Sequence, residues 1–184
     1  AGAITLVPPG GTPPFESDSE PRWLDDAELA ELIDELPSPQ LLAEDEREGG
    51  AGFRLSLAGT RDKLPILWEE DQVGITHGRP PSTHIIKKPV AELRAMVANE
   101  SYCLALARHA GLSAAEALPL AAGGREGLLV RRYDRQCEAD GIVRRVHQED
   151  FCQALGVLPE LKYQAEGGPD VAACGERIRR YATA

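Results

Sequence analysis

The most constraining stretch of this sequence is residues 80–111. It opens with Pro80-Pro81, runs through Thr83-His84-Ile85-Ile86-Lys87, stops at Pro89 and continues into a long helical pattern closed by Gly111. Proline cannot donate into a ladder, so prolines on both sides bound a short strand. Leu93, Met96, Val97, Leu104 and Ala107 recur on one helical face, which predicts a helix over residues 90–110. Glu100 falls inside that apolar stripe, where a carboxylate is costly unless paired. Lys87 shares a strand face with Thr83 and Ile85 and needs a counter-charge of its own. Protein kinases hold nucleotide phosphates with a strand Lys oriented by a helix Glu. The plainer alternatives are a Lys that snorkels to solvent and a Glu that reaches water from the edge of the stripe.

The segments around this stretch are short and mostly strand-like. Phe53–Leu57 alternates, Leu64–Trp68 forms a second strand, and Ala58-Gly59-Thr60-Arg61-Asp62-Lys63 joins them as a hairpin loop. A glycine there lets backbone N–H groups turn towards an anion, with Thr60 and Lys63 adding a hydroxyl and a charge. Taken alone, such a loop is usually only a hairpin. Further strands are expected near 116–121, 127–133 and 142–146, and helices near 148–155 and after a loop at 163–169. Leu128–Arg135 runs from apolar residues into a polar, aromatic edge. Backbone groups at Arg131, Arg132 and Tyr133 could meet an adenine there; the alternative is a core strand with a charged end. Upstream, residues 1–8 read as a strand and 8–22 as a Pro/Gly/Ser-rich loop. A helix carrying Leu29, Leu32, Ile33 and Leu36 follows, capped by Asp25 or Asp26. An acidic linker over 37–52 suggests a domain boundary, dividing the chain into 1–48 and 49–184. The fold class expected is α+β: an antiparallel sheet with one long packed helix.

Composition narrows the function classes. A net charge of −10 argues against a direct nucleic-acid grip at the scale of the whole chain, although local basic patches remain open. No apolar run approaches the ~18 residues of a membrane span, and the first residues lack the basic region of a signal peptide. Cys103, Cys137, Cys152 and Cys174 form no CxxC pair and read as buried free thiols of a reducing cytosol. His77, His84, His109 and His147 do not cluster, so no metal site is expected.

Collinear motifs go further. FRLSLAGTRDK (53–63), THIIK (83–87), NESYC (99–103), LLVRRYDR (128–135), HQEDFCQALG (147–156) and KYQAEGGP (162–169) resemble the successive signatures of the HipA family of serine/threonine kinase toxins from type II toxin–antitoxin systems. AGAITLVP (1–8) and the acidic helix after it resemble the end of that family's N-terminal subdomain. The resemblance implies a protein-kinase-like N-lobe over 49–184 and an ATP- and Mg2+-dependent protein kinase linked to persistence. It makes Ala58, Gly59, Thr60, Arg61, Asp62 and Lys63 the phosphate-binding loop, Lys87 the phosphate lysine oriented by Glu100, and Arg131, Arg132 and Tyr133 the adenine-side hinge. Ser56 matches the autophosphorylated serine, whose phosphate would repel the neighbouring loop and switch the kinase off. The resemblance implies a cytoplasmic protein whose partners are a HipB-like helix-turn-helix antitoxin, DNA only through that complex, and a protein substrate such as an aminoacyl-tRNA synthetase.

The sequence departs from the family in places. Thr60-Arg61-Asp62 stands where the family favours Ala-Gln followed by an acidic or small residue, and Arg131 where an acidic residue is common. No H-x-D or D-x-x-x-x-N loop follows residue 169, so the catalytic base and the Mg2+ ligands are expected beyond residue 184. The chain also begins at Ala1 in a strand-like run. It therefore reads as a fragment expected to transfer no phosphate by itself, with no catalytic residue of its own. The rival readings are a non-catalytic module that binds an antitoxin or other partner, and a kinase-like fold acting on a small molecule.

Overall fold

Proline and turn residues cut the chain into short strands, and those strands pair with their neighbours in an antiparallel sheet. The computed structural model describes residues 9–10, 20–36, 63–76, 81–90, 93, 95–139 and 142–181. The expected strands at 1–8 and 53–57 and the acidic linker at 37–52 lie outside them. The described residues divide between two compact units, one ending at Val146 and the other starting at His147.

In the first unit the elements are β1 (Arg22–Trp23), α1 (Asp26–Glu35), β2 (Lys63–Glu69), β3 (Gln72–Ile75), β4 (His84–Lys87), α2 (Met96–His109), β5 (Ala117–Ala122), β6 (Arg125–Arg131), β7 (Arg135–Cys137) and β8 (Val143–Arg145). Six strands form one sheet in the order β1-β3-β2-β4-β6-β5, while β7 and β8 pair as a separate ribbon. Each ladder is antiparallel.

Adjacent residues of one strand feed different cores. Leu129 and Ile86 pack with Leu64, Ile66 and the α1 residues Leu29 and Ile33. Leu128, Val130 and Ile85 pack with Val97 and Leu104 of α2. Side chains alternate along a strand, so α1 and α2 cover opposite faces of the central strands. Helix α1, placed before residue 48 in the sequence reading, therefore shares a core with the sheet.

The local chemistry explains the element ends. Asp25, of the two candidate caps, caps α1: its Oδ1 accepts from the Glu28 N–H at 2.8 Å and the Glu28 carboxylate accepts from its N–H at 3.1 Å. The β5–β6 turn is made by Gly123 and Gly124, both at positive φ, and a Cβ on Gly123 would stand 2.7 Å from that of Ala30. The β2–β3 turn uses the same conformation at Glu70 (φ 48) and Asp71 (φ 60) without glycine. That tight turn creates β3, which the sequence reading missed because Gln72-Val73-Gly74-Ile75 is too short to show a period. Helix α2 begins at Met96 rather than near 90 because Ala95 is left-handed, with φ 54 and ψ 29. Leu93 is thereby outside the helix and 54% exposed instead of in the apolar stripe.

The second unit holds α3 (Phe151–Leu155), capped by Asp150, and α4 (Val171–Tyr181), with 3-10 turns at Pro159–Leu161 and Gln164–Glu166 between them. Those turns occupy part of what reads as a plain loop. Within this unit the Arg177 guanidinium donates to the Ala154 carbonyl, joining α4 to α3. The expectation of buried thiols fails: Cys103 and Cys137 are exposed and Cys152 and Cys174 partly so. Cys103 lies on the outward face of α2 and Cys137 on the two-stranded ribbon, and neither surface is covered by a core.

Ile33 is fully enclosed on the sheet, whereas Leu118, on a neighbouring strand, is 57% exposed. Ile33→Ala should cost about 2–5 kcal/mol through lost packing and cavity formation. Leu118→Ala should cost under about 0.5 kcal/mol. Urea unfolding midpoints of the two variants check the contrast.

Candidate functional site

The site grows from the end of β4. Pro89 stops the strand just beyond Lys87, and the following chain turns into α2, which crosses the face on which the Lys87 side chain lies. The Lys87 ammonium and the Glu100 carboxylate form the ion pair that the spacing suggests. Both side chains are about three-quarters buried, so neither the snorkelling lysine nor the solvent-facing glutamate describes them. Lys87, Pro89, Met96, Val97, Glu100 and Leu128 line a shallow depression.

Lys63, the last residue of the expected phosphate loop, is the first residue of β2 and sits directly across the ladder from Lys87. Facing residues of an antiparallel pair point to one side of the sheet. Lys63 is buried, and its ammonium is pushed below the ordinary lysine pKa by that burial and then by the Lys87 charge. Lys63, Lys87 and Glu100 thus come together at one end of the α2 face. Ser56, Ala58, Gly59, Thr60, Arg61 and Asp62 lie outside the described residues. Among the described residues no group of three or more His, Cys, Asp or Glu comes together to hold a metal ion.

The Arg131 N–H donates to the Glu116 carbonyl at 2.9 Å and the Arg132 N–H to the Thr83 carbonyl at 3.0 Å. Both donors are therefore spent on the sheet. The Arg131 guanidinium pairs at the surface with Glu116 at 3.0 Å. Tyr133 leaves the strand with 81% of its surface exposed.

Sequence reasoning missed the network beneath Tyr133. Arg132 grips Asp134 with both arms of its fork, Nε to Oδ1 at 2.9 Å and Nη2 to Oδ2 at 2.7 Å. Arg135 Nη1 donates to the same Oδ2 at 2.7 Å. Both arginines also hold Ser82, Arg132 Nη1 on its hydroxyl at 3.1 Å and Arg135 Nε on its carbonyl at 2.8 Å. Burial pushes the Asp134 carboxyl up, but the hydrogen bonds and charges of Arg132 and Arg135 outweigh it and hold the carboxyl below the ordinary range. The available signal was Arg-x-Asp-Arg at a strand end, which admits a bidentate pair but does not name Ser82 as the anchor.

With this geometry in view, the comparisons are consistent. The model of the HipA-like C-terminal domain matches residues 55–184. The chain belongs to the HipA-like C-terminal domain family. A Sinorhizobium fredii protein named as a candidate kinase, Y4mE, is 43% identical over 98% of this chain and 42% of its own length. The serine/threonine-protein kinase toxin HipA of Shewanella oneidensis is 31% identical over 91% of this chain and 37% of its own. The chain thus spans less than half the length of these curated relatives. The solved complex of Shewanella oneidensis HipA with HipB and operator DNA matches with a TM-score of 0.65 and 28% identity, covering 94% of this chain and 38% of that one. Among the described residues no helix is long and apolar enough to cross a membrane.

Asp134 lends itself to a pH test. Its folded-state pKa lies below the unfolded one, so its contribution is complete above about pH 4 and is lost as pH falls through the folded value. Asp134→Asn leaves two buried guanidiniums without their carboxylate, and should cost about 3–5 kcal/mol near neutral pH. Urea midpoints of parent and variant should converge as the pH is lowered below about 4.

Proposed function

We propose that this chain carries the ATP-binding, N-lobe side of a HipA-like protein kinase. In the full-length protein, the γ-phosphoryl of ATP would pass to a Ser or Thr hydroxyl of a protein substrate, releasing ADP. The observation that carries the reading is the part-buried Lys87–Glu100 pair with Lys63 on the adjacent rung. Glu100 fixes the Lys87 ammonium over the depression, and Lys63 adds a second positive charge beside it. Such a charge set fits polyphosphate better than it fits a neutral ligand. Bound ATP would supply the phosphoryl group and Mg2+ would offset its charge, with ligands for the ion drawn from outside the described residues.

The role of this chain's residues is then positional. Lys87 would orient phosphate oxygens and Glu100 would keep Lys87 from collapsing onto other acceptors, with residues 58–63 assigned to phosphate binding by the family resemblance. Autophosphorylation at Ser56 beside that loop would expel it by repulsion and end activity. The toxin function, growth inhibition with persistence and an aminoacyl-tRNA synthetase as target, extends the reading by family likeness. A HipB-like antitoxin is the partner inferred, since the matching solved assembly contains HipA, HipB and operator DNA.

In the full-length protein Lys87→Ala should abolish ATP-dependent autophosphorylation, a loss of at least about a hundredfold in rate. Glu100→Gln should reduce it less, because an amide still accepts a hydrogen bond from Lys87. Radiolabelled phosphate incorporation measures both, and normal incorporation by Lys87→Ala would refute the site.

A further inference from the structure

Lys87 and its neighbour Lys88 reach in opposite directions from the end of β4. The Lys87 ammonium pairs with Glu100 of α2 on one face of the sheet. The Lys88 ammonium donates to the backbone carbonyl of Asp34, in the last turn of α1 on the other face. That carbonyl is one of those a helix leaves without an intrahelical partner at its C-terminus, where a cation is favoured. Helix α1 ends on Asp34 and Glu35 and has no basic residue in its last turn. Its cations come from the sheet instead: Lys88, and Arg125, whose Nε donates to Asp34 Oδ2 at 2.6 Å. At the first turn of α1, Asp26 Oδ2 accepts from the Gly123 N–H at 3.0 Å. Helix α1 lies upstream of residue 55, where the family match begins.

We propose that α1 controls the Lys87 site through Lys88: the Asp34–Lys88 contact fixes the end of β4 and thereby where the Lys87 ammonium stands against Glu100. The inference rests on the kinase reading above. Three observations support it. The two lysines are consecutive, so the strand end is tied to a helix on each face and cannot tilt towards one without straining its bond to the other. Lys87, Lys88 and Pro89 all line the depression, so a displaced strand end alters its wall. The seat of α1 is fixed at both ends, by Asp26 on Gly123 and by Asp34 on Arg125, which gives Lys88 a stationary acceptor. Lys88 is then a positioning residue, and its partner comes from outside the matched family unit. A surface contact of this kind adds little to stability, so loss of Lys88 should register at the site rather than in unfolding.

The test uses the full-length protein and follows radiolabelled autophosphorylation against ATP concentration with Mg2+. Lys88→Met keeps the aliphatic stem and loses the donor. It should raise the half-saturating ATP concentration about fivefold while the urea midpoint stays at the parental value. Lys88→Arg, which keeps a cationic donor, should restore the parental ATP dependence. Gly123→Ala disturbs α1 from its far end, because a Cβ there stands 2.7 Å from that of Ala30. It should raise the same concentration in the parent and add nothing in the Lys88→Met background. Parental ATP dependence in Lys88→Met, no recovery in Lys88→Arg, or additive effects of Lys88→Met and Gly123→Ala, as expected of a lysine that touches the ligand itself, overturns the proposal. Lys87→Ala separates the two readings. Unchanged incorporation in that variant removes the kinase site and this proposal with it, whereas lost incorporation there with a parental Lys88→Met removes this proposal alone.

Discussion

Strands β4 and β6 lie between two helices, and this two-sided burial organises the described part of the first unit. A strand covered on both faces must be apolar throughout its middle, so charge is displaced to its ends. Ile85 and Ile86 in β4, and Leu128, Leu129 and Val130 in β6, fill the two cores. Lys87 closes one end of this apolar block and Arg131 the other. Polar side chains therefore collect where the ladder runs out of apolar residues, at the Lys87 end and at the turn after Arg131.

The two ends solve their electrostatics differently. At the Lys87 end a single carboxylate comes from α2, and Lys63 faces Lys87 across the ladder. The Lys87 charge beside it, after burial itself, holds the Lys63 ammonium below its ordinary pKa. At the other end two arginines close around Asp134 and Ser82, and every polar arm used there points to protein. The second arrangement holds a turn. This division is why Arg132, adjacent in sequence to an exposed tyrosine, belongs to the structural set.

Much of this was legible in the residues. The Pro-bounded strand, the helix after it and the Lys87–Glu100 pairing follow from periodicity and the cost of an unpaired buried charge. Asp25 and Asp150 announce their helices through capping boxes. Three features were hidden for physical reasons. Strand β3 is too short to show a period and exists because two acidic residues accept a left-handed turn. The true start of α2 depends on one backbone conformation at Ala95, and alanine does not signal it. The exposure of the cysteines depends on which surfaces happen to be covered.

The sequence by itself determined the central strands and the long helices, the charge at the strand ends and, through collinear motifs, the HipA-like family. These depend on spacing along the chain, which local sterics and hydrophobic period translate directly into structure. Tertiary structure decided which residues share a site. Lys63 meets Lys87 only through the β2–β4 register, and Ser82 meets Arg132 and Arg135 only because the approach to β4 passes beside the end of β6. Such contacts join residues far apart in the chain, and the cores that impose the register are built from both.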